Sequence, residues 1–203
     1  MPKTDLEGSD LERACAYPYH IPKRSYVLTA NGYRELSEGE PVPDLSGRHP
    51  VIACGSNQSP EQLNRKFNSN HLAEPIPVTR CRLENFDSVY SPHFSGYGSI
   101  AATLQSCAGV VVDLFITWLD DDQLRHMHKT EAVGTNYQYA HLDGIRVDVD
   151  KLGVLDSVYA YMGLRGALRH DNQPIALAEI SAEGRRWTAM TQLQVQTVAR
   201  DRL

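Results

Sequence analysis

Two dipeptides mark where this chain doubles back on itself. Asn31-Gly32 lies between the strand-like runs Tyr26–Ala30 and Tyr33–Leu36, and Asp143-Gly144 lies between Tyr137–Leu142 and Ile145–Val149. Asn-Gly and Asp-Gly supply the positive φ angles that a two-residue turn demands, so each pair of runs predicts an antiparallel hairpin. Helical patterns follow Ser59 and Asp120, but they do not alternate regularly with the strands. A doubly wound parallel sheet needs that alternation. The prediction is therefore an α+β fold, with a mixed, partly antiparallel sheet closing toward a small barrel with flanking helices.

Residues 1–47 read as an N-terminal arm, polar over 1–24, with a short helix near Leu11–Cys15, the first hairpin, and a linker at Glu40–Gly47. Residues 48–203 read as the main domain. It includes a helical tail from about Pro174 to Arg202, with Ile175, Trp187, Met190, Leu193 and Val198 available for packing. The net charge of −5 argues against a broad nucleic-acid or anionic-membrane surface. No stretch approaches the roughly 20 apolar residues of a membrane helix, and Met1–Gly8 has no apolar core for a secretory signal. The expected location is cytoplasmic. Cys15, Cys54, Cys81 and Cys107 lie far apart with no CxxC pair, so free, mostly buried thiols are expected rather than a disulfide framework or structural zinc.

The richest segment runs from Val51 to Phe67. Val51–Cys54 suits a buried strand, Gly55-Ser56-Asn57-Gln58 a turn, and Ser59-Pro60-Glu61-Gln62 a helix start with Ser59 as N-cap and Gln62 completing a capping box. Leu63 and Phe67, four apart, give that helix one apolar face. A turn of this kind before a helix gathers backbone N–H groups that suit a carboxylate, a phosphate or a developing oxyanion, although Gly-Ser-Asn is also ordinary turn chemistry. Further on, a strand is expected near Arg80–Tyr90, a loop over Ser91–Gly98, strands at Ile100–Leu104 and Val110–Leu119, and another at Val154–Met162. Asp120 and Gln123 form a second capping box. On the helix they open, Leu124, Met127/His128 and Glu131 share the core-facing stripe, and Gly134 ends it. A carboxylate there either pairs with an arginine or escapes to solvent, or else serves as a general base.

Two groupings compete with that last role. Asp120, Asp121, Asp122, His126, His128 and Glu131 resemble metal ligands on paper, yet His126 and His128 point about 160° apart on a helix. Asp122 and His126 alone make a poor site. Cys54-Gly55-Ser56 has a cysteine-hydrolase flavour, but Asn57 stands where such a motif carries its nucleophile. No metal and no nucleophilic Cys54 are expected.

Residues 51–63, Val-Ile-Ala-Cys-Gly-Ser-Asn-Gln-Ser-Pro-Glu-Gln-Leu, resemble the Tyr-Gly-Ser-Asn-Leu strand–turn–helix of γ-glutamylcyclotransferases. Residues 109–139 resemble that family's second signature, a strand, a helix ending in the catalytic Glu, and a Tyr on the next strand. Ile100–Leu104 also resembles the strand before it, and the likeness spans roughly residues 50–165. It departs at Cys54, where the family has Tyr, at Gln58, where it has Leu, and at Ala132, where Gly is common. The resemblance implies an intramolecular cyclotransferase that releases 5-oxoproline from a small γ-glutamyl compound, without cofactor, metal, nucleic acid or membrane. It implies Glu131 as general acid/base. Cys54, Gly55, Ser56, Asn57, Gln58 and Tyr137 are implied as substrate-binding residues, with Tyr139 as the fallback for Tyr137. His93, Phe94 and Tyr97 of the 92–98 loop either line the leaving-group side or are plain loop residues. A non-catalytic binding module on the same fold is the alternative.

Overall fold

The computed structural model describes residues 8–67 and 71–200. Residues 1–7 of the expected arm and 201–203 of the expected tail lie outside the described residues. The chain opens with α1 (Gly8–Cys15), the hairpin β1 (Tyr26–Thr29) and β2 (Gly32–Glu35), then β3 (His49–Ala53), a 3₁₀ turn (Ser56–Gln58) and α2 (Pro60–Lys66). Two long strands follow, β4 (Ile76–Phe94) and β5 (Ile100–Leu119), then α3 (Asp121–Thr130), β6 (Tyr137–Val149) and β7 (Gly153–Gly163). Two-residue strands close the chain, β8 (Arg169–His170), β9 (Gln173–Pro174), β10 (Ala176–Leu177), β11 (Ala182–Glu183) and β12 (Ala189–Met190), before α4 (Gln192–Arg200).

The sheet closes on itself. β4 pairs with β5, β5 with β3, β3 with β7, β7 with β6, and β6 returns to β4, making a five-stranded barrel. Only β3–β7 is parallel within the ring. Strand alternation explains the two sides. Val112, Leu114, Ile116 and Trp118 of β5 join Ile52, Cys81, Leu83, Val147, Val149, Val158 and Ala160 in the cluster that fills the barrel. Phe115 and Leu119 point the other way, with Val51, Ala53 and Tyr161, and pack under Leu63 of α2, Phe67 at its C-cap and Met127 of α3. Leu63 and Phe67 are fully buried, as their spacing required. Burial of each such side chain stabilises the fold by about 1.5–3 kcal/mol.

The mixed, barrel-like α+β architecture is the one anticipated, but several local expectations need correction. The first hairpin forms, yet its loop residues are Ala30 and Asn31, since Thr29 pairs with Gly32, and only Gly32 among these has positive φ, +119°. β1 then pairs with β4, and Ala14, Tyr17 and Tyr19 are buried, so the arm packs into the domain. Asp143-Gly144 is not a hairpin turn. β6 runs through it with a bulge between Asp143 and Val147, and the chain reverses instead at Asp150–Leu152, where Lys151 takes φ +66°. Ser91–Phe94 belongs to β4, and the two expected strands after Ser99 are one strand bent at Gly109, whose N–H donates to Asn85 Oδ1 at 2.9 Å. The tail holds one helix, α4. Its earlier part makes short strands, with Ala176 of β10 opposite Val89. Ser59 caps α2 by position only: its buried hydroxyl finds no partner, and the box with Gln62 does not form. The Asp120–Gln123 box does form, with Gln123 N–H donating to Asp120 Oδ1 at 2.8 Å.

Candidate functional site

A cavity of about 280 Å³ opens where the turn after β3 meets the end of α3. Gly55, Ser56 and Asn57 line it, together with Cys54, Glu131 and Tyr137. The join is direct, for the Asn57 side-chain amide donates to Glu131 Oε1 at 2.7 Å.

The turn is shaped by close approach. Gly55 adopts φ −143° and ψ −131°, and a Cβ there would overlap the Tyr17 hydroxyl and sit 2.7 Å from the Ala102 Cβ. Gln58 N–H donates to Gly55 O and Ser59 N–H to Ser56 O. Among the described residues, no acceptor meets the N–H groups of Gly55, Ser56 or Asn57. Gln58 does not line the cavity. It is buried beneath the turn, its amide donating to Gly55 O at 3.3 Å.

Glu131 is the C-cap of α3, its N–H still bonded to Met127 O, with its side chain 11% exposed. Ala132 follows at φ +48°, left-handed backbone that favours glycine. The partner of Glu131 is neither solvent nor an arginine. Lys66 Nζ, 12% exposed at the end of α2, donates to the same Oε1 that Asn57 holds. Among the described residues both donors fall on Oε1, and Oε2 has no bonded neighbour. The sequence reading did not single out Lys66, although it stands three residues after Leu63 and the helical period of α2 could have placed it on the inward face.

Tyr137 walls the cavity, but its hydroxyl donates to Ala102 O at 2.9 Å and does not orient Glu131. Tyr139 lies elsewhere, stacked on Tyr159 with ring centroids 4.9 Å apart. Of the 92–98 loop, His93 and Tyr97 line the cavity, whereas Phe94 is 44% exposed and does not. Burial, and then the charge of Arg165, push the His93 imidazole below its ordinary value. Burial, followed by the nearby Glu131 charge, pushes the Cys54 thiol up to about 12. A thiol held neutral at physiological pH is a poor nucleophile. Tyr17 and Tyr161 also line the cavity, and the sequence reading did not single them out. Tyr161 is linked to His128 Nδ1 at 2.8 Å. Tyr17 comes from the arm and carried no sequence signal, being 85 residues from its partner Ala102.

Among the described residues, no group of three or more His, Cys, Asp or Glu is arranged to hold a metal ion, and no helix is long and apolar enough to cross a membrane. His126 bonds Lys66 O at 2.7 Å and stacks on His71, while Asp120 caps its helix.

What the fold and cavity define is a small closed barrel carrying a carboxylate and a donor-rich turn in one pocket. No family model matches the chain, and no curated protein matches it. Solved structures are similar to it at low identity. A solution structure of a protein from Arabidopsis thaliana superposes with a TM-score of 0.47 at 16% identity, covering 64% of this chain and 80% of that one. An uncharacterized protein from Homo sapiens gives a TM-score of 0.47 at 18% identity, covering 58% and 68%. A gamma-glutamyl cyclotransferase gives a TM-score of 0.46 at 16% identity, again covering 58% and 68%.

Proposed function

We propose that the cavity closes γ-glutamyl amides or peptides into 5-oxoproline and expels the amine beyond. The observation that carries this reading is the 2.7 Å bond from Asn57 to Glu131, because it joins the turn and the carboxylate in one small pocket. In this scheme Glu131 Oε2 takes a proton from the substrate's α-ammonium. The freed amine nitrogen attacks the γ-carbonyl carbon, forming the C–N bond of a five-membered lactam. Negative charge gathers on the carbonyl oxygen, opposite the unpaired N–H groups of Gly55–Asn57, which act as an oxyanion hole. Collapse breaks the bond to the leaving nitrogen; Glu131 returns its proton there, and the second proton of the ring nitrogen also passes to the departing amine, which leaves as an ammonium. The step is intramolecular, so it calls for held geometry and one proton carrier rather than a nucleophilic side chain or a cofactor. Cys54, neutral and half-buried, serves as wall.

One observation favours a second reading. The Lys66 ammonium already occupies Oε1 of Glu131, an arrangement equally suited to a pocket that binds and does not turn over. The test is release of 5-oxoproline from a panel of γ-glutamyl compounds by wild type and Glu131→Gln, with binding measured beside it. The expected result is turnover by wild type and a fall of roughly 10²–10⁴ in the variant, the range of general acid–base catalysis, with binding retained. Equal turnover in the variant removes Glu131 from the mechanism. Binding by wild type without turnover of any compound establishes the binding module instead.

A further inference from the structure

Two tyrosines from different parts of the chain bond the backbone of one residue, Ala102. Tyr137 donates its hydroxyl proton to Ala102 O at 2.9 Å. Tyr17 does the reverse, accepting the Ala102 N–H at 2.8 Å. A phenol has one donor and two lone pairs. Tyr137 has therefore used its proton. Tyr17 has used a lone pair, and no described residue accepts its O–H.

That hydroxyl lines the cavity and presses on the turn, in the space a Cβ of Gly55 would need. It abuts Gly55, at the head of the turn whose N–H groups, Gly55 to Asn57, have no acceptor among the described residues. With the turn's N–H groups given to the γ-carbonyl oxygen, the Tyr17 O–H is a further donor at this end of the cavity, and the substrate's carboxylate, with about four acceptor sites on two oxygens, is the group left to use it. We propose that Tyr17, on the segment between α1 and β1, is a substrate-binding residue whose hydroxyl donates to a carboxylate oxygen of the compound held at the Gly55–Asn57 turn. Burial, with the nearby Tyr137 and Cys54, raises the Tyr17 pKa well above its ordinary value, so the proton needed for this bond is present at physiological pH. Arg13, in the last turn of α1 just before that segment, lies over the ring of the cavity residue Tyr97, 3.9 Å from its centroid, and ties the segment to the cavity wall.

The inference rests on the proposed reading for the identity of the ligand, but its test needs no turnover. The probes are 5-oxoproline and 2-pyrrolidone, which is the same lactam without the carboxylate, titrated calorimetrically into wild type and Tyr17→Phe. A donor to the carboxylate predicts that 5-oxoproline binds about tenfold more weakly to the variant while 2-pyrrolidone binds both proteins alike. Equal losses for both probes, or for neither, overturn the proposal, since a purely structural role through Ala102 would not tell them apart. Failure of wild type to bind 5-oxoproline overturns it too. If Tyr17→Phe does not fold, 3-fluorotyrosine at position 17 keeps both lone pairs and is a stronger donor. It is expected to tighten 5-oxoproline binding, and unchanged affinity overturns the idea. Probe discrimination in a protein that turns over no γ-glutamyl compound would leave the Tyr17 assignment standing and remove the cyclotransferase reading.

Discussion

Asn57 and Lys66 hold the same oxygen of Glu131, a neutral donor and a charged one. Removing the charged partner strands a carboxylate that is nine-tenths covered, and breaking a buried pair in this way costs about 3–5 kcal/mol. Lys66→Met is therefore expected to lower the unfolding free energy by about 3 kcal/mol in denaturant titration. Lys66→Met combined with Glu131→Gln should recover most of that loss, because no unpaired charge remains. Turnover on the best γ-glutamyl compound should fall roughly tenfold to a hundredfold in Lys66→Met through misplacement of Oε2. Lys66→Arg should restore part of it. Additive losses in the double variant would show that the two side chains act independently. At this scale the sequence was informative where a period or motif pointed inward. Gly55, Ser56, Asn57 and Glu131 meet in one cavity, and the inward face of α2 that gave Leu63 and Phe67 extends to Lys66. Gln58 and Tyr17 were not legible. A turn residue faces the pocket or the core according to one dihedral, and a tyrosine in an irregular segment has no periodicity to place it.

Elements explain why Glu131 stands where it does. α3 is fixed at its start by the Asp120–Gln123 box and by Gln123 Nε2 donating to Glu74 O at 2.8 Å. It ends one turn past Met127, with Ala132 in left-handed backbone at φ +48°. An L-residue pays about 1–2 kcal/mol there, and glycine does not, though glycine loses about 0.5–1 kcal/mol of chain entropy on folding. Ala132→Gly is expected to raise stability by about 0.5–1 kcal/mol, read as a higher urea midpoint at unchanged slope. A lower midpoint would mean that the Ala132 methyl packs better than its backbone suffers. The sequence showed both helix starts, since Pro60 and Asp120 act locally. It misplaced the hairpin at Asp143-Gly144, because a glycine of positive φ serves a bulge as well as a turn, and the register that decides between them is set by β7, not by the dipeptide. The split of β5 into two strands failed similarly, Gly109 bending the strand without ending it.

The whole molecule carries two imidazoles held toward their neutral form. His93 is shifted down by burial and then Arg165, and His128 by burial and then His49. Facing His93 are Ser91 and Tyr137, and facing His128 are Tyr161 and Tyr139. For a histidine whose folded pKa lies below its unfolded value of about 6.5, the unfolded chain binds the proton first as pH drops. Stability contributed by these groups is therefore full above that value and lost as pH falls below it. Thermal midpoints should decline from pH 7 to pH 5, and His93→Gln should flatten part of the decline. An identical slope in the variant would show that other groups set the acid limit. The barrel imposes a different consequence, one of timing. β3 lies between β5 and β7, its parallel partner being made about a hundred residues later in the chain. Tyr17 waits 85 residues for Ala102, and Asn57 waits 74 for Glu131. At roughly 5–20 residues per second of synthesis, the nascent polypeptide spends several seconds with the turn already made and nothing to close it. The lining is not complete until Tyr161 is made, so a ribosome stalled before β7 would leave a chain that holds most of these side chains and an unfinished site.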